Sequence, residues 1–235
     1  MNLIKITVPL LFMLILTSCA ELQQVVNQLP SGQVSSAEIA AGLKQALEFG
    51  VNEGVDLLHA ENGYFKDEAV KILLPEELKK VDASLRKIGL SSLADEGLKI
   101  LNRAAEDAVV EAKPIFIKAI KEFTFDDANR ILTAQNNLEA TQYLQGKTAL
   151  ALQASFAPKI DASLSRVGAD RIWAEIIGKY NSIPLVKPVN PNLTNYVTEQ
   201  AISGLFVKVG DKEKEIRNSV GARTTALLQK VFALQ

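Results

Sequence analysis

Leu98-Lys-Ile-Leu-Asn-Arg-Ala-Ala-Glu-Asp-Ala-Val-Val-Glu-Ala112 is the stretch on which the reading of the fold turns. Wound as an α-helix, it lines up Leu98, Leu101, Ala105, Ala108, Val109 and Ala112 as one apolar stripe, the pattern of a helix buried along one side. Asn102 falls on the edge of that stripe and Glu106 just beyond it, one turn apart and able to meet. Arg103 and Asp107 form a parallel pair farther round. A polar side chain at such an edge is partly buried and needs hydrogen-bond partners. Asn102, Arg103 and Glu106 are therefore expected either to tie this helix to its neighbours or to face a ligand, with the internal network favoured. Lys113-Pro114 follows, and since Pro114 removes one backbone bond, the helix is expected to kink or restart there.

Working outward, the same helical signals recur. Ser35-x-x-Glu38 reads as a capping box. The helix behind it carries Ile39, Leu43, Leu47 and Val51 on one side and is expected to end near Gly63. Further helix starts are marked at Pro75, Ser92 and Thr124, the last two with Asp three residues on. Gly89 and Gly168 fit C-terminal caps, which need the left-handed conformation that glycine enters cheaply. Ile183 to Asn192, with Pro184, Pro188 and Pro191, reads as an extended connector. Helices are expected again around Tyr196–Val209, Asp211–Ser219 and Ala222–Leu234. Gly50-x-x-x-Gly54 and Gly204 suit close helix crossings. Long alternating runs are missing, so the class is all-α, a single multi-helix domain over residues 36–235.

One internal echo stands out. Lys80-Val-Asp-Ala-Ser-Leu-Arg-Lys-Ile-Gly89 matches Lys159-Ile-Asp-Ala-Ser-Leu-Ser-Arg-Val-Gly168 at six of ten positions. The match is expected either from a duplicated helical hairpin, giving a pseudo-repeat, or from convergence on a common helix-cap pattern.

The N-terminus obeys different rules. Lys5 gives a weak positive start, and Ile6 to Leu16 is an apolar core broken only by Thr7 and Pro9. That core is far shorter than the ~20 residues of a membrane-spanning helix, so residues 1–18 read as an export signal. The closing run Leu16-Thr17-Ser18-Cys19 resembles the lipobox of bacterial lipoproteins, in which the chain is cut before a cysteine that becomes lipidated. Cys19 is the only cysteine, so no internal disulfide is expected, whereas an acylated cysteine needs no partner. One acyl chain holds a protein to a membrane only marginally; the resemblance implies several. Residues 19–35, rich in Gln, Asn and Ser, read as the lipidated end and a flexible tether. Ala20 in place of Asp after the cysteine points to the periplasmic face of the outer membrane.

Composition narrows the function. Net charge is −1 and becomes −2 without Lys5, the one charge in residues 1–18, so no nucleic-acid partner is expected. With a single histidine, His59, and a lipidated cysteine, nucleophilic triads are hard to build. Neither metal-ligand spacing nor a phosphate loop stands out, and no cofactor or metal is expected. Acids are plentiful, and Glu106 with Asp127 or Glu139 could in principle serve glycoside hydrolysis. Aromatics are only 6% of residues, however, poor material for a sugar-binding groove, so these acids are assigned to solvated faces and helix N-termini. Asn102, Glu106, Arg130 and Tyr143 decide between the two readings. Lining one cleft with acids ~5–10 Å apart, they would support hydrolysis; sealed in the core, they leave a binding or structural role.

Five motifs in order carry a family resemblance: Asn102-Arg-Ala-Ala-Glu-Asp-Ala108, Asp127-Ala-Asn-Arg-Ile-Leu132, Ala140-Thr-Gln-Tyr-Leu144, Tyr196 through Phe206, and Ile216-Arg217 with Ala222 through Phe232. Together they resemble a bacterial envelope family known as domain of unknown function four-one-nine-seven, over about residues 38–233. The resemblance implies an exported, helical, mostly lipid-anchored protein and carries no activity, substrate or functional residue with it. The expected function is thus a binding or structural module at the cell envelope, held to the membrane by lipid and engaging an envelope protein or a small ligand. The alternative is a carboxylate-dependent envelope hydrolase.

Overall fold

The computed structural model describes residues 34–234 apart from 75–78, 80–82, 84, 85, 88, 90, 186 and 191. Helix α1 spans Ser36–His59; α2, Ser91–Ala108, passes through a 3-10 turn at Val109–Glu111 into α3, Ala112–Lys121. Then come α4 (Phe125–Thr133), α5 (Glu139–Arg166), α6 (Ala169–Asn181), α7 (Leu193–Asn218) and, after a 3-10 turn at Val220–Ala222, α8 (Ala226–Phe232). Among the described residues there is no strand, and the all-α expectation holds. No helix among them is long and apolar enough to cross a membrane.

Local signals account for most boundaries. At α4 the Thr124 hydroxyl accepts from the Asp127 N–H at 3.2 Å while the Asp127 carboxylate accepts from the Thr124 N–H at 3.1 Å, a reciprocal capping box. Gly89 and Gly168 take φ of +83° and +69°, the left-handed turn expected of C-terminal caps. Ahead of Pro114 the helix does restart, through the 3-10 turn that divides α2 from α3. Ser182 to Asn192 separates α6 from α7 without regular helix in its described residues.

Two boundaries differ from expectation. Helix α1 stops at His59, because the following chain leaves the helix to dock on α2. Helix α7 runs unbroken through Gly210, joining two segments read from the sequence as separate. Gly210 is a packing residue and not a stop: a Cβ there would lie 2.8 Å from Leu138 Cδ2.

The body is built on four long rods: α1, α2–α3, α5 and α7. Helix α5 packs against α7, α2 and α3, while α1 packs against α7, α3, α4 and α8. Gly50 and Gly54 face α7, where a Cβ on Gly54 would sit 3.3 Å from Lys208 Cβ, so small residues set the α1–α7 approach. Phe116 of α3 meets Phe206 of α7 edge to face with ring centres 5.7 Å apart. The stripe read from Leu98 to Ala112 is buried throughout. The first copy of the internal echo and the helix start at Pro75 fall mostly outside the described residues, as do residues 1–33, including Cys19; the paired hairpins are not shown.

The C-terminal helix closes the core. Leu228, Val231 and Phe232 are buried against α1, where Gly42 leaves room for Val231, whose Cγ2 would be 2.7 Å from an added Cβ. Truncation after Leu227 exposes a face once covered by three side chains, each contributing ~1.5–3 kcal/mol. The expected outcome is a loss of roughly 10 °C or more in Tm by circular dichroism; an unchanged melt contradicts this packing.

Candidate functional site

After His59 the chain forms an irregular loop, residues 60–74, laid on α2 and α7. Its anchor is Glu106, only 2% exposed. One carboxylate oxygen accepts from the Asn62 N–H at 3.3 Å, the other from the Tyr64 N–H at 3.2 Å, and the Phe65 N–H adds a third donor. Near-consecutive amides of a tight turn form a nest for an anion, and Asn62 accepts the φ of +63° that this turn requires. The Glu106 carbonyl accepts from His59 Nδ1 at 2.9 Å, which sets that ring's tautomer and employs the lone histidine in the same clamp.

Asn102, one turn earlier, is fully buried and not merely on the stripe's edge. Its Oδ1 accepts from the Ile72 N–H at 2.8 Å and its Nδ2 donates to the Ile72 carbonyl at 2.9 Å, so the side chain pairs with both backbone groups of one residue as a neighbouring strand would. The loop is latched to α7 as well. The Tyr64 hydroxyl donates to the Ala201 carbonyl at 2.7 Å, and the Tyr196 hydroxyl donates to the Leu73 carbonyl at 2.6 Å. A Cβ on Gly204 would lie 2.8 Å from Tyr64 Cε1, so the small-residue signal there serves loop docking. Lys208 pairs with Asp67. Burial pushes the Glu106 carboxyl above its ordinary range, against the pull of the amides of Tyr64, Asn62 and Phe65 and of the Arg103 charge. Burial, and then the Glu106 carboxylate, push the Tyr64 phenol up in turn.

A second carboxylate, that of Glu213, is drawn inward, its side chain 8% exposed. The long helix α5 starts after Leu138, whose side chain cannot cap it. Glu213 of α7 supplies the missing cap from outside: its carboxylate accepts from the Ala140 and Thr141 N–H groups at 3.0 and 2.8 Å and from the Thr141 hydroxyl at 2.7 Å. Arg217 holds Glu213 at 2.9 Å and donates to the Ile131 carbonyl near the end of α4 at 3.0 Å. The one available signal was the acid–base pair at i, i+4.

The remaining candidates gather elsewhere. Arg130, 59% exposed along its side chain, lies 3.6 Å from Asp127 and 3.8 Å from Glu139. The Tyr143 hydroxyl donates to Asp127 at 3.4 Å. Burial raises the Asp127 carboxyl, but hydrogen bonds from Thr124, with Arg130 and Tyr143 behind them, outweigh it and leave the group below its ordinary value. None of these residues contacts Glu106 or Asn102 in the interactions above. Of the four residues set to decide between cleft and core, Asn102 and Glu106 are buried against the 60–74 loop, while Arg130 and Tyr143 meet Asp127 near the start of α4. The reason is topological: Glu106 points at the loop following α1, whereas Asp127 and Glu139 flank the α4–α5 corner. Arg103 remains at the surface, 53% exposed, bonded to Asp107 at 2.7 Å and lying 3.5 Å from Glu106, beside a shallow groove of about 400 Å³.

A larger groove of about 510 Å³ opens between α5 and α7. Its floor is Leu138, Ala149, Ile202, Phe206 and Gly210; Gln142, Gln145 and Gln153 stand along one rim and Glu199, Ser203 and Asp211 along the other. Among the described residues no cluster of His, Cys, Asp and Glu could hold a metal ion.

Residues 33–233 match the family described as Protein of unknown function (DUF4197), and the chain belongs to that family. No curated protein and no solved structure matches it.

Glu106→Gln keeps the shape of the clamp but turns an amide NH2 toward backbone donors. It is expected to cost about 1–3 kcal/mol at neutral pH. Since burial raises the native carboxyl, the native state holds this proton more tightly than the unfolded chain. That contribution is complete below the ordinary carboxyl range and is lost as pH rises through the raised native value. The wild-type margin over Glu106→Gln in urea unfolding therefore narrows as pH rises from about 4 to about 7; a flat or widening margin contradicts the assignment.

Proposed function

We propose that this DUF4197 family member is a lipid-anchored helical binding body, held at the cell envelope on the periplasmic face of the outer membrane. The observation that carries the reading is Leu16-Thr17-Ser18-Cys19 at the end of an apolar run too short to span a bilayer. The chain's only cysteine sits where acylation would place it, ahead of a Gln- and Asn-rich stretch suited to a tether.

The reading as a binding body, in preference to a carboxylate hydrolase, is supported by how the acids are used. Both Glu106 oxygens hold main-chain amides, and Asp127 and Glu139 stand on either side of Arg130. A general acid–base pair needs two carboxyls aimed at one substrate position. Among the grooves on the described residues, the one between α5 and α7 has an apolar floor and an amide-bearing rim of the kind that binds and orients.

Cys19→Ser is the test of the anchor. In cells fed a radiolabelled or alkyne-tagged fatty acid, the wild type is expected to carry label and sediment with membranes. The variant is expected to lose the label and appear in the soluble fraction. Membrane retention of unlabelled Cys19→Ser protein in detergent-free fractions overturns the proposal.

A further inference from the structure

We infer that the α5–α7 groove binds a partner polypeptide in extended conformation, gripping its peptide groups with the side-chain amides of Gln145 and Gln153. This rests on the reading of the body as a binding module and is independent of the lipid anchor.

The argument starts from what the fold already does twice. Asn102 clasps the N–H and C=O of Ile72 at 2.8 and 2.9 Å. Asn181 clasps the N–H and C=O of Val189 in the same way, at 2.8 Å each. In both cases a non-helical segment is laid on a helix and held by a carboxamide, whose donor and acceptor match those of a peptide group. Apolar side chains of the docked segment, Ile72 and Val189 themselves, are buried beside the clasp.

The groove repeats these parts along the walls of α5 and α7. Gln142, Gln145 and Gln153 fall on one stripe of α5, above Leu138 and Ala149 and opposite Ile202, Phe206 and Val207 of α7. Gln142 is partly engaged, accepting from Asn136 Nδ2 at 3.1 Å. Gln145 and Gln153 are exposed and make no side-chain hydrogen bond to any described residue. From Gln142 to Gln153 the helix rises ~16 Å, about five residues of extended chain. Alternate residues of such a segment would point at the apolar floor while its peptide groups faced the glutamines. A helical ligand satisfies its own peptide groups and would leave those amides unused.

Charge gives the segment a direction. Glu213 meets Ala140, and Thr194 meets Asp161, so α5 and α7 run antiparallel and Glu199 lies toward the Gln153 end. Glu199 carries no ion pair among the described residues, whereas Asp211 at the other end is paired with Lys214 at 3.6 Å. The bound segment is therefore expected to carry a basic residue at the Gln153 end.

The test uses the full-length protein in detergent micelles as bait for a random seven-residue phage-displayed library. Enriched sequences are expected to be apolar at alternate positions with Lys or Arg at one end. The best of them, as a free fluorescent peptide, is expected to weaken at least tenfold when alternate amides are N-methylated. It should weaken comparably against Gln145→Leu/Gln153→Leu, a pair of exposed changes checked to leave the thermal melt unaltered. Failure to enrich any sequence overturns the proposal, as does enrichment of an i, i+3, i+4 helical pattern or binding unchanged by either manipulation. None of these failures touches the Cys19 experiment, which stands or falls separately.

Discussion

Backbone amides at the start of a helix or tight turn have no partners of their own and must find acceptors once buried. This fold meets that constraint with two carboxylates placed far away in sequence. Glu106 takes the amides of the turn at 62–65, and Glu213 takes those opening α5. A buried carboxylate is costly unless several donors surround it, and each of these is so surrounded. The arrangement cuts both ways: an orphaned amide or orphaned acid costs about 1–3 kcal/mol or more, so neither half is stable without the other. From Glu106 the dependence spreads outward. The turn it holds positions Tyr64, Tyr64 reaches Ala201 and packs on Gly204, and α7 is thereby joined to a loop that leaves α1.

The second recurring device is the asparagine clasp. Net worth per hydrogen bond is ~1 kcal/mol, so the two bonds from Asn102 to Ile72 matter less for bulk stability than the burial around them. Their effect is on register. A loop held through the N–H and C=O of a single residue cannot slide by one position without losing both bonds, and a slide would also pull Tyr64 off Gly204. Glycines at 50, 54, 204 and 210 do the complementary work of letting neighbouring elements approach, each against a specific group: Lys212, Lys208, Tyr64 and Leu138.

What the sequence disclosed follows the range over which each signal acts. The stripe from Leu98 to Ala112, the capping box at Thr124 and the caps at Gly89 and Gly168 depend on residues within one or two turns, and all were readable. Asn102 and Glu106 were legible as polar residues needing partners; the partners, Ile72 and the turn at 62–65, are thirty to forty-four positions away and were not. Gly210 misled because a glycine in a helix reads locally as a stop, while its reason lies in Leu138 of another helix. Glu213 is a case of the same kind. It sits mid-helix among other charges, and what gives it a role is a helix start that lacks a cap of its own.

These differences in range also bear on where function can reside. Among the described residues the Thr198 hydroxyl is the one buried side-chain polar atom left without a partner. The polar groups of the described interior are thus almost wholly engaged with one another. Polar groups that can still respond to another molecule lie on the surface, where charge pairs are weak and solvent screens them. A groove concentrates such groups by excluding part of that solvent, and between α5 and α7 it does so above buried Phe206. On the proposed reading as a binding body, recognition would run through shape and surface hydrogen bonds, with the packing of α5 against α7 setting the spacing of the groove walls.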